Sequence, residues 1–206
     1  MTQTREGRRP PADKHDERRN QLAESALHTL GELGLARTSL REIANNSEFS
    51  HGVVHYYFRD KLELIVYCVQ YYKARCVTRY DSVVEDATTA DELVGLFAAK
   101  LTETLRTEAP MHRLWYDLRS QSTFEPGLRD AVALIDTTLE HMVWRVVERY
   151  SELAGRPVAL RPAAAYAVLD GVFQQALVAH QTRGPVVLDE LAADVHDLMP
   201  LVLAAS

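Results

Sequence analysis

The residues with the clearest chemical potential lie between positions 50 and 61, in the stretch SHGVVHYYFRDK. His51 and His55 are four residues apart, so on a helix both imidazoles lie on one face and could share a metal ion. Metal sites need three or four ligands, and the sequence places no third cysteine, aspartate or glutamate suitably close. We therefore expect no metal in this stretch, and we find no cofactor motif elsewhere in the chain.

On a helix that begins after Ser50, the same stretch separates into two faces. Val54 and Phe58, also four residues apart, are predicted to pack inward. The outward residues suit DNA, because a major groove admits a helix whose N-terminal residues reach the base edges. Gly52 lacks a Cβ and permits close approach of the backbone. Lys61, at the start of the next helix, offers a cation and free N–H groups to a phosphate.

The candidate DNA contacts extend from the helix before this stretch to the helix after it. Arg41, in the preceding helix, is long enough to reach a guanine edge or a phosphate. Aromatic residues at helical spacing are more often part of a core, an interpretation that we keep here for Phe58. The candidates are Thr38, Ser39, Arg41, Ser50, His51, Gly52, Val53, His55, Tyr56, Tyr57 and Lys61.

The charge of the chain permits this interpretation only when it is divided by region. The formal net charge is -6 at pH 7, which by itself argues against a polyanionic partner. Residues 1–61 carry 10 Lys and Arg against 9 Asp and Glu, whereas the remaining residues carry 13 against 20. The acidity therefore belongs to the C-terminal part, and the N-terminal part is compatible with double-stranded DNA as a partner.

The composition is that of a globular protein, with 47% apolar and 25% charged residues among 206. No window approaches the roughly 18 consecutive apolar residues that a membrane span requires. The N-terminus lacks the apolar core of a secretory signal. Two cysteines, Cys68 and Cys76, are too few for a disulfide framework. We expect a reduced, cytoplasmic protein without a membrane partner.

Helix signals predict the elements that position the candidate DNA contacts. A long first helix is predicted to end at Gly34, where glycine can adopt the left-handed conformation. Ser39 and Glu42 form a capping box for a short second helix. Ser50 is a suitable N-cap for a short third helix, and Asp60 can cap a longer fourth one. Two short helices joined by a tight turn, after a longer helix, are typical of a helix-turn-helix domain.

Beyond residue 88 the apolar periodicity stays helical, with Gly/Pro-rich breaks between the helices. No segment shows the two-residue alternation of strands, so the predicted fold is all-α. We expect a flexible arm over 1–13 and a three-helix, helix-turn-helix DNA-binding domain over 14–62. A helical bundle for ligand binding and dimerisation is expected over 63–206. Its predicted helices span 90–107, 110–122, 126–154, 160–182 and 187–204.

Large aromatic side chains with polar neighbours in the bundle are candidates for a ligand pocket, since such pockets are apolar with a few convergent polar groups. Arg119 suits a ligand carboxylate, although it could equally pair with Asp117 or Glu125. Each of these residues, taken singly, is more often part of a core or a surface. The candidates are Phe97, Trp115, Tyr116, Arg119, Tyr166, Phe173 and Gln174.

The segment TSLREIANNSEFSHGVVHYYFRDK, preceded by LGELG, resembles the DNA-binding domain of the TetR family of transcriptional regulators. The resemblance covers roughly residues 15–65, while the rest agrees only in length and helical character. The matching positions are Ile43, Ala44, Ser47, Phe49, Ser50, Gly52, Val54, Tyr56, Tyr57, Phe58 and Lys61.

Two positions depart from the family pattern. Glu48 stands where the turn commonly has glycine, and a non-glycine residue with positive φ there would store roughly 1–3 kcal/mol of strain. On that premise Glu48→Gly stabilises the fold. His55 stands where the family commonly has tyrosine, and histidine changes its charge near neutral pH. We therefore expect DNA affinity to rise as the pH falls toward 6.

The resemblance implies a ligand-responsive transcriptional regulator, expected to be a repressor, that binds a palindromic operator as a homodimer and is released by a small-molecule effector. It also implies that the last two helices pair with their copies, although their small residues could simply pack within one chain. The interface candidates are Ala164, Ala167, Gly171, Gln175 and Val195. Two alternatives stay open: a small helical-bundle enzyme or carrier, which no catalytic motif supports, and a regulator without an effector.

Overall fold

A computed structural model describes residues 11–76 and 78–205 of the chain. Within these residues the secondary structure is helical apart from one isolated bridge between Val158 and Leu203, which confirms the all-α prediction. Residues 1–10 of the predicted arm lie outside the described residues. The α-helices are α1 (Pro11–Leu33), α2 (Leu40–Asn45), α3 (His51–Tyr57), α4 (Lys61–Cys76), α5 (Asp81–Asp86), α6 (Ala90–Gln121), α7 (Arg129–Ala154), α8 (Pro162–Arg183) and α9 (Val186–Leu198).

The chain divides into two compact units, and the division falls inside α4, between Tyr71 and Tyr72. The sequence predicts this boundary nearer the start of the helix, after residue 62. The first half of α4 packs on α1, where the Tyr67 hydroxyl donates to Asn20 Oδ1 at 2.8 Å. These α4 residues therefore belong to the N-terminal unit.

The core of the N-terminal unit comes from one face of each of its helices. Gly34 ends α1 with φ 75°, the left-handed conformation that the sequence predicted. The residues that bury this core are Leu22, Ala26, Leu30, Ile43, Ala44, Phe49, Val54, Phe58, Leu64, Ile65 and Cys68.

In the C-terminal unit, α6, α7, α8 and α9 pack around one core that includes Leu93, Leu105, Leu177, Leu191 and Met199. Short 3-10 helices precede α7 (Pro126–Leu128) and follow α9 (Met199–Val202). Within the described residues, no helix combines the length and apolar character that crossing a membrane requires.

The predicted break near Pro110 is a kink within one helix. α6 continues through it, and Glu108 takes non-helical angles of φ -124° and ψ 17°. Proline inside a helix removes one N–H donor and clashes with the carbonyl four residues earlier, which bends a helix without always ending it. The short helix α5 was not predicted, because its N-cap Tyr80 makes no side-chain capping bond.

Candidate functional site

Helix α3 has the limits and the cap that the sequence predicted. Ser50, in extended conformation, accepts a hydrogen bond on Oγ from the Val53 N–H at 3.4 Å. At the other end Phe58 returns to extended backbone and donates its N–H to the Val54 carbonyl at 2.9 Å. The preceding α2 begins at Ser39, whose Oγ accepts from the Glu42 N–H at 3.1 Å. Both short helices are therefore fixed by their N-caps.

The two faces of α3 are also confirmed. Val54 and Phe58 are fully buried, with 0% exposure. His51, Gly52 and His55 are exposed, and Tyr56 keeps 76% of its surface in solvent. A Cβ built on Gly52 would meet no atom within 4 Å, so packing inside the chain does not require glycine there.

The two histidines of α3 contact each other. Their Nε2 atoms are 3.1 Å apart and their rings stand edge to face, with centroids 4.4 Å apart. This contact is a hydrogen bond when one Nε2 carries a proton and the other does not. Among the described residues no cluster of three metal-ligating side chains occurs, and this pair has no third partner of that kind.

The rise in DNA affinity toward pH 6, which the sequence predicts from His55, stays a prediction. Fluorescence anisotropy of labelled operator DNA at constant ionic strength measures this change. His55→Gln should flatten the profile, and a His55→Gln profile identical to that of the unaltered protein would remove His55 as the cause.

The candidate DNA contacts outside α3 differ in the solvent exposure and in the hydrogen bonds of their side chains. Ser39 and Arg41 are exposed. Thr38 is 3% exposed and its hydroxyl donates to the Gly34 carbonyl at 2.8 Å, so its assignment as a DNA contact is wrong for the side chain. The Lys61 ammonium donates to the Leu35 carbonyl and so ties α4 to the loop after α1. A phosphate contact by Lys61 stays a prediction.

Tyr57, the last residue of α3, is half-buried. Its ring lies 4.9 Å from that of His15 and 5.0 Å from that of Tyr56, measured between centroids. Packing therefore holds one side of Tyr57, whereas Tyr56 projects from the helix. Of the two tyrosines, Tyr56 is the better placed to contact DNA.

The turn before α3 does not carry the strain that we expected at Glu48. Positive φ angles within the described residues occur only at glycines, so the turn forms without a left-handed residue at Glu48. Its polar groups are supplied locally: the Ser47 hydroxyl donates to the Ala44 carbonyl and accepts from the Phe49 N–H, each at 3.1 Å. The premise that Glu48→Gly relieves strain is therefore wrong.

The C-terminal unit contains a cavity of about 70 Å³ between α6, α7 and α8. That is several times the roughly 10–15 Å³ that one water molecule requires. Five of the seven predicted pocket residues line it. They are Phe97, Trp115, Tyr116, Tyr166 and Phe173.

The other two predicted pocket residues lie elsewhere. Gln174 is exposed, because it follows the inward Phe173 and one residue turns a helix by about 100°. Its assignment to the pocket is therefore wrong. Arg119 is not part of the lining, and it holds a lining residue in place: its Nη1 donates to Asp170 Oδ2 at 2.6 Å.

Asp170 is the centre of a polar network that joins three helices. The Tyr116 hydroxyl donates to Asp170 Oδ1 at 2.8 Å, and the Arg119 guanidinium also lies 3.4 Å from Asp136 Oδ2. Tyr166 donates to Asp136 Oδ1 at 3.1 Å. Burial, followed by the neighbouring Asp170, raises the pKa of both tyrosines. Their hydroxyls therefore stay protonated and act as donors to the carboxylates.

A second polar cluster lies at the kink of α6 and was missed from the sequence. Arg79 pairs with Glu108 at 2.5 Å and donates to His112 Nε2, with 3.1 Å between the nitrogens. A guanidinium can only donate, so the neutral His112 ring must carry its proton on Nδ1. Burial and then the Arg79 cation lower the pKa of His112 to about 3. His112 is thus uncharged at neutral pH, and it lines the cavity together with Arg79.

Four of the five candidate interface residues lie on α8, where Ala167 and Gln175 are exposed and Ala164 and Gly171 are half-buried. Val195 on α9 is 1% exposed and packs in the core of its own chain, so its assignment to an interface is wrong. α8 also exposes two valines, Val168 and Val178. The outer surface of α8 thus presents small residues and two valines beside the polar Gln175, and small residues suit close packing against another helix.

Comparison with known proteins gives a family match within the N-terminal unit and relatives that match along most of the chain. The family model described as "Bacterial regulatory proteins, tetR family" matches residues 22–68. The HTH-type transcriptional regulator BetI of Burkholderia thailandensis is 28% identical over 201 residues, covering 92% of this chain and 97% of that protein.

Two solved structures are similar to this chain in fold. A transcriptional regulator from Saccharomonospora viridis in complex with choline has a TM-score of 0.72 at 14% identity, covering 93% of this chain and 100% of that one. The regulator FadR from Bacillus subtilis in complex with stearoyl-CoA has a TM-score of 0.70 at 17% identity, covering 87% and 96%.

Proposed function

The chain belongs to the TetR family of transcriptional regulators, and we propose that it binds an operator through α3 and leaves it when a small molecule fills the cavity. The observation that carries the proposal is the division of α3 into a buried face and an exposed one. Tyr56 stands in solvent where a soluble domain gains nothing from a large aromatic side chain. A ring at this position is suited to contact base edges or thymine methyl groups in a major groove.

We propose a homodimer and a palindromic operator. Two recognition helices read successive major grooves only when a dimer holds them about 34–36 Å apart, one turn of DNA. The outer surface of α8, where the small residues Ala164, Ala167 and Gly171 lie beside Gln175, supports a symmetric contact between two copies. Binding to chromosomal DNA places this function in the cytoplasm, and repression is the simplest regulatory outcome of occupying an operator.

The cavity supports the ligand-responsive part of the proposal. The regulators in complex with choline and with stearoyl-CoA share the fold, and here the aromatic cavity lies between α6, α7 and α8. A ligand releases DNA only if it binds the state with low DNA affinity more tightly than the other state. The proposed effector therefore selects a geometry of the dimer in which the two α3 helices no longer fit the operator.

Selection of bound DNA from a random pool tests the function. We expect an inverted repeat with half-sites about one turn apart, since a dimer imposes this spacing. Tyr56→Ala should then weaken binding to the selected sequence by roughly 1–3 kcal/mol for each base contact that is lost. Enrichment of no sequence, or full affinity of Tyr56→Ala, would contradict the assignment of α3 as the reading helix.

A further inference from the structure

One hydrogen bond joins the two ends of the helix-turn-helix segment. The Lys61 ammonium, at the start of α4, donates to the Leu35 carbonyl in the loop after α1. The residues between them, 36–60, contain α2, the turn and α3. Arg37 and Arg59 each lie two residues inside this bond, the first before α2 and the second after α3. The bond therefore brings together two short segments that each carry an arginine.

Arg59 is an exposed side chain whose position is fixed by its neighbours. It keeps 83% of its side chain in solvent. Its backbone N–H donates to Glu63 Oε2 at 2.9 Å, and its Nε donates to Asp60 Oδ2 at 3.3 Å. Asp60 is itself fixed, because its Oδ1 accepts from the Glu63 N–H at 2.8 Å. No other residue that the structure describes accepts from the two Nη groups of Arg59, so both are available to a phosphate.

Arg37 is an exposed side chain on a loop that is held at both ends. Within the described residues it has no hydrogen-bond or ion-pair partner. On one side of it Leu35 accepts from Lys61, and on the other the Thr38 hydroxyl donates to the Gly34 carbonyl at 2.8 Å. A side chain on a fixed loop loses less conformational entropy on binding than one on a mobile loop.

Several other cations of the N-terminal unit are engaged inside it. The Arg18 guanidinium lies 4.3 Å from the centre of the Phe49 ring, and the Arg19 guanidinium lies 4.3 Å from that of Tyr67. The Lys61 ammonium donates to a backbone carbonyl. These three cations contribute to packing within the unit, whereas the arginines at the two ends of the helix-turn-helix segment point their charge to solvent.

The two arginines flank the helices that meet DNA in a helix-turn-helix complex. In such complexes the second helix, here α3, lies in the major groove, and the first helix, here α2, crosses the DNA backbone. The seven residues of α3 span about 10 Å, and the groove is about 12 Å wide, so the end of α3 lies beside the phosphates of the groove wall. Arg59 follows that end, and Arg37 precedes the helix that crosses the backbone.

We propose that Arg37 and Arg59 each bind a phosphate of the operator, and that Lys61 positions them by joining the segments that carry them. The inference rests on the proposed function, because it names residues that hold the DNA backbone in the same complex. A guanidinium presents parallel N–H donors that match a phosphate, whereas an ammonium acts as a point charge. Phosphate contacts fix the orientation of a reading helix and carry no sequence information directly.

The salt dependence of DNA binding tests the proposal, because each phosphate contact adds about 0.9 to the slope of log K against log salt concentration. Fluorescence anisotropy gives the affinities for the selected operator and for a random duplex of the same length. In a dimer Arg37→Gln or Arg59→Gln removes two contacts, so each should lower the slope by about 1.8 on both duplexes. Between roughly 50 and 200 mM KCl the affinity of each variant should then fall about tenfold less than that of the unaltered protein.

Two controls separate a phosphate contact from other effects. Arg161→Gln, at an exposed arginine of the C-terminal unit, removes the same charge and should leave the slope unchanged. The ratio of operator affinity to random affinity should stay within about twofold in Arg37→Gln and Arg59→Gln, because phosphates are common to both duplexes. Tyr56→Ala should lower this ratio instead.

An unchanged slope in either arginine variant overturns the assignment of that arginine. A lower slope in Lys61→Gln, with unchanged slopes in both arginine variants, overturns the whole inference and gives the phosphate contact to the lysine. Absence of DNA binding by the unaltered protein overturns the proposed function and this inference together. Urea unfolding of each variant, with an unchanged midpoint, shows that a lower slope does not come from loss of the fold.

Discussion

Phe58→Ala lowers the free energy of unfolding of the N-terminal unit by about 3–5 kcal/mol, the usual cost of removing a buried aromatic ring. The ring is fully buried and lies 5.5 Å from the ring of Tyr67, between centroids. The Arg19 guanidinium stands over its face at 4.9 Å. Its backbone also forms the C-cap of α3. Removing the ring therefore opens a cavity beside α1, α3 and α4 together.

Hydrogen exchange of amides in α1 and α3 measures this loss locally, because protection in one unit reports the opening of that unit. Operator affinity should fall as well, since the unfolded population does not bind DNA. The matched control is Tyr56→Ala on the same helix. Its ring is exposed, so stability should change by less than about 0.5 kcal/mol while specific DNA binding weakens.

The two variants separate stability from recognition. Loss of DNA binding by Phe58→Ala should be accompanied by loss of protection, whereas loss by Tyr56→Ala should not. If Phe58→Ala keeps its amide protection within about 1 kcal/mol of the unaltered protein, the inward assignment of this residue is refuted. If Tyr56→Ala loses protection to the same extent as Phe58→Ala, its role is structural.

The short-range features of the DNA-binding part were predictable from the sequence. The caps at Ser39 and Ser50 depend on N–H groups three residues away, and the inward pair Val54 and Phe58 depends only on helical spacing. Such interactions depend only on residues three or four positions apart in the sequence. The prediction at Glu48 failed because it assumed the backbone angle of a related turn, whereas the neighbouring Ser47 hydroxyl supports a different one.

Features that depend on distant residues were not predictable in the same way. Lys61 is a polar residue at the start of a predicted helix, yet its ammonium donates to the Leu35 carbonyl in the loop after α1, and this bond joins positions 26 residues apart. The pairing of Arg79 with Glu108 spans 29 residues. Single-sequence periodicity shows which face of a helix is apolar, and it does not show which polar residue of another helix will meet it.

The cavity of the C-terminal unit is lined both by residues that the sequence predicted and by residues that it did not, and the two kinds lie on the same helices. Its aromatic residues were predicted because large rings in amphipathic helices are buried wherever the helices pack. Asp170 was not predicted, because a single aspartate in a helix is usually a surface residue. Only the approach of α6 to α8 brings Tyr116 and Arg119 to it and makes it part of the cavity wall. The polar part of the cavity wall therefore depends on the packing of α6 against α8 and not on any one segment.

His112 gives the C-terminal unit a stability that depends on pH between 3 and 6.5. Its pKa is about 3 in the folded chain against an ordinary value of 6.5, with burial and Arg79 as the causes. Between these two pH values His112 is protonated in the unfolded chain and neutral in the folded chain. The free energy of unfolding therefore falls as the pH is lowered, with a slope that approaches about 1.4 kcal/mol per pH unit. The expected loss between pH 7 and pH 5 is about 2 kcal/mol.

Urea unfolding at pH 7, 6 and 5 measures the slope, and His112→Gln should flatten it because glutamine can still accept from Arg79 and does not titrate. Hydrogen bonds lower the pKa of Asp60, Glu92 and Glu103. The stability that these carboxylates contribute is lost only as the pH falls below their ordinary range, so they do not affect the slope between pH 7 and pH 5. His141→Gln, an exposed histidine of α7, is the matched control and should keep the slope. An unchanged slope in His112→Gln would show that His112 accepts a proton in the folded chain.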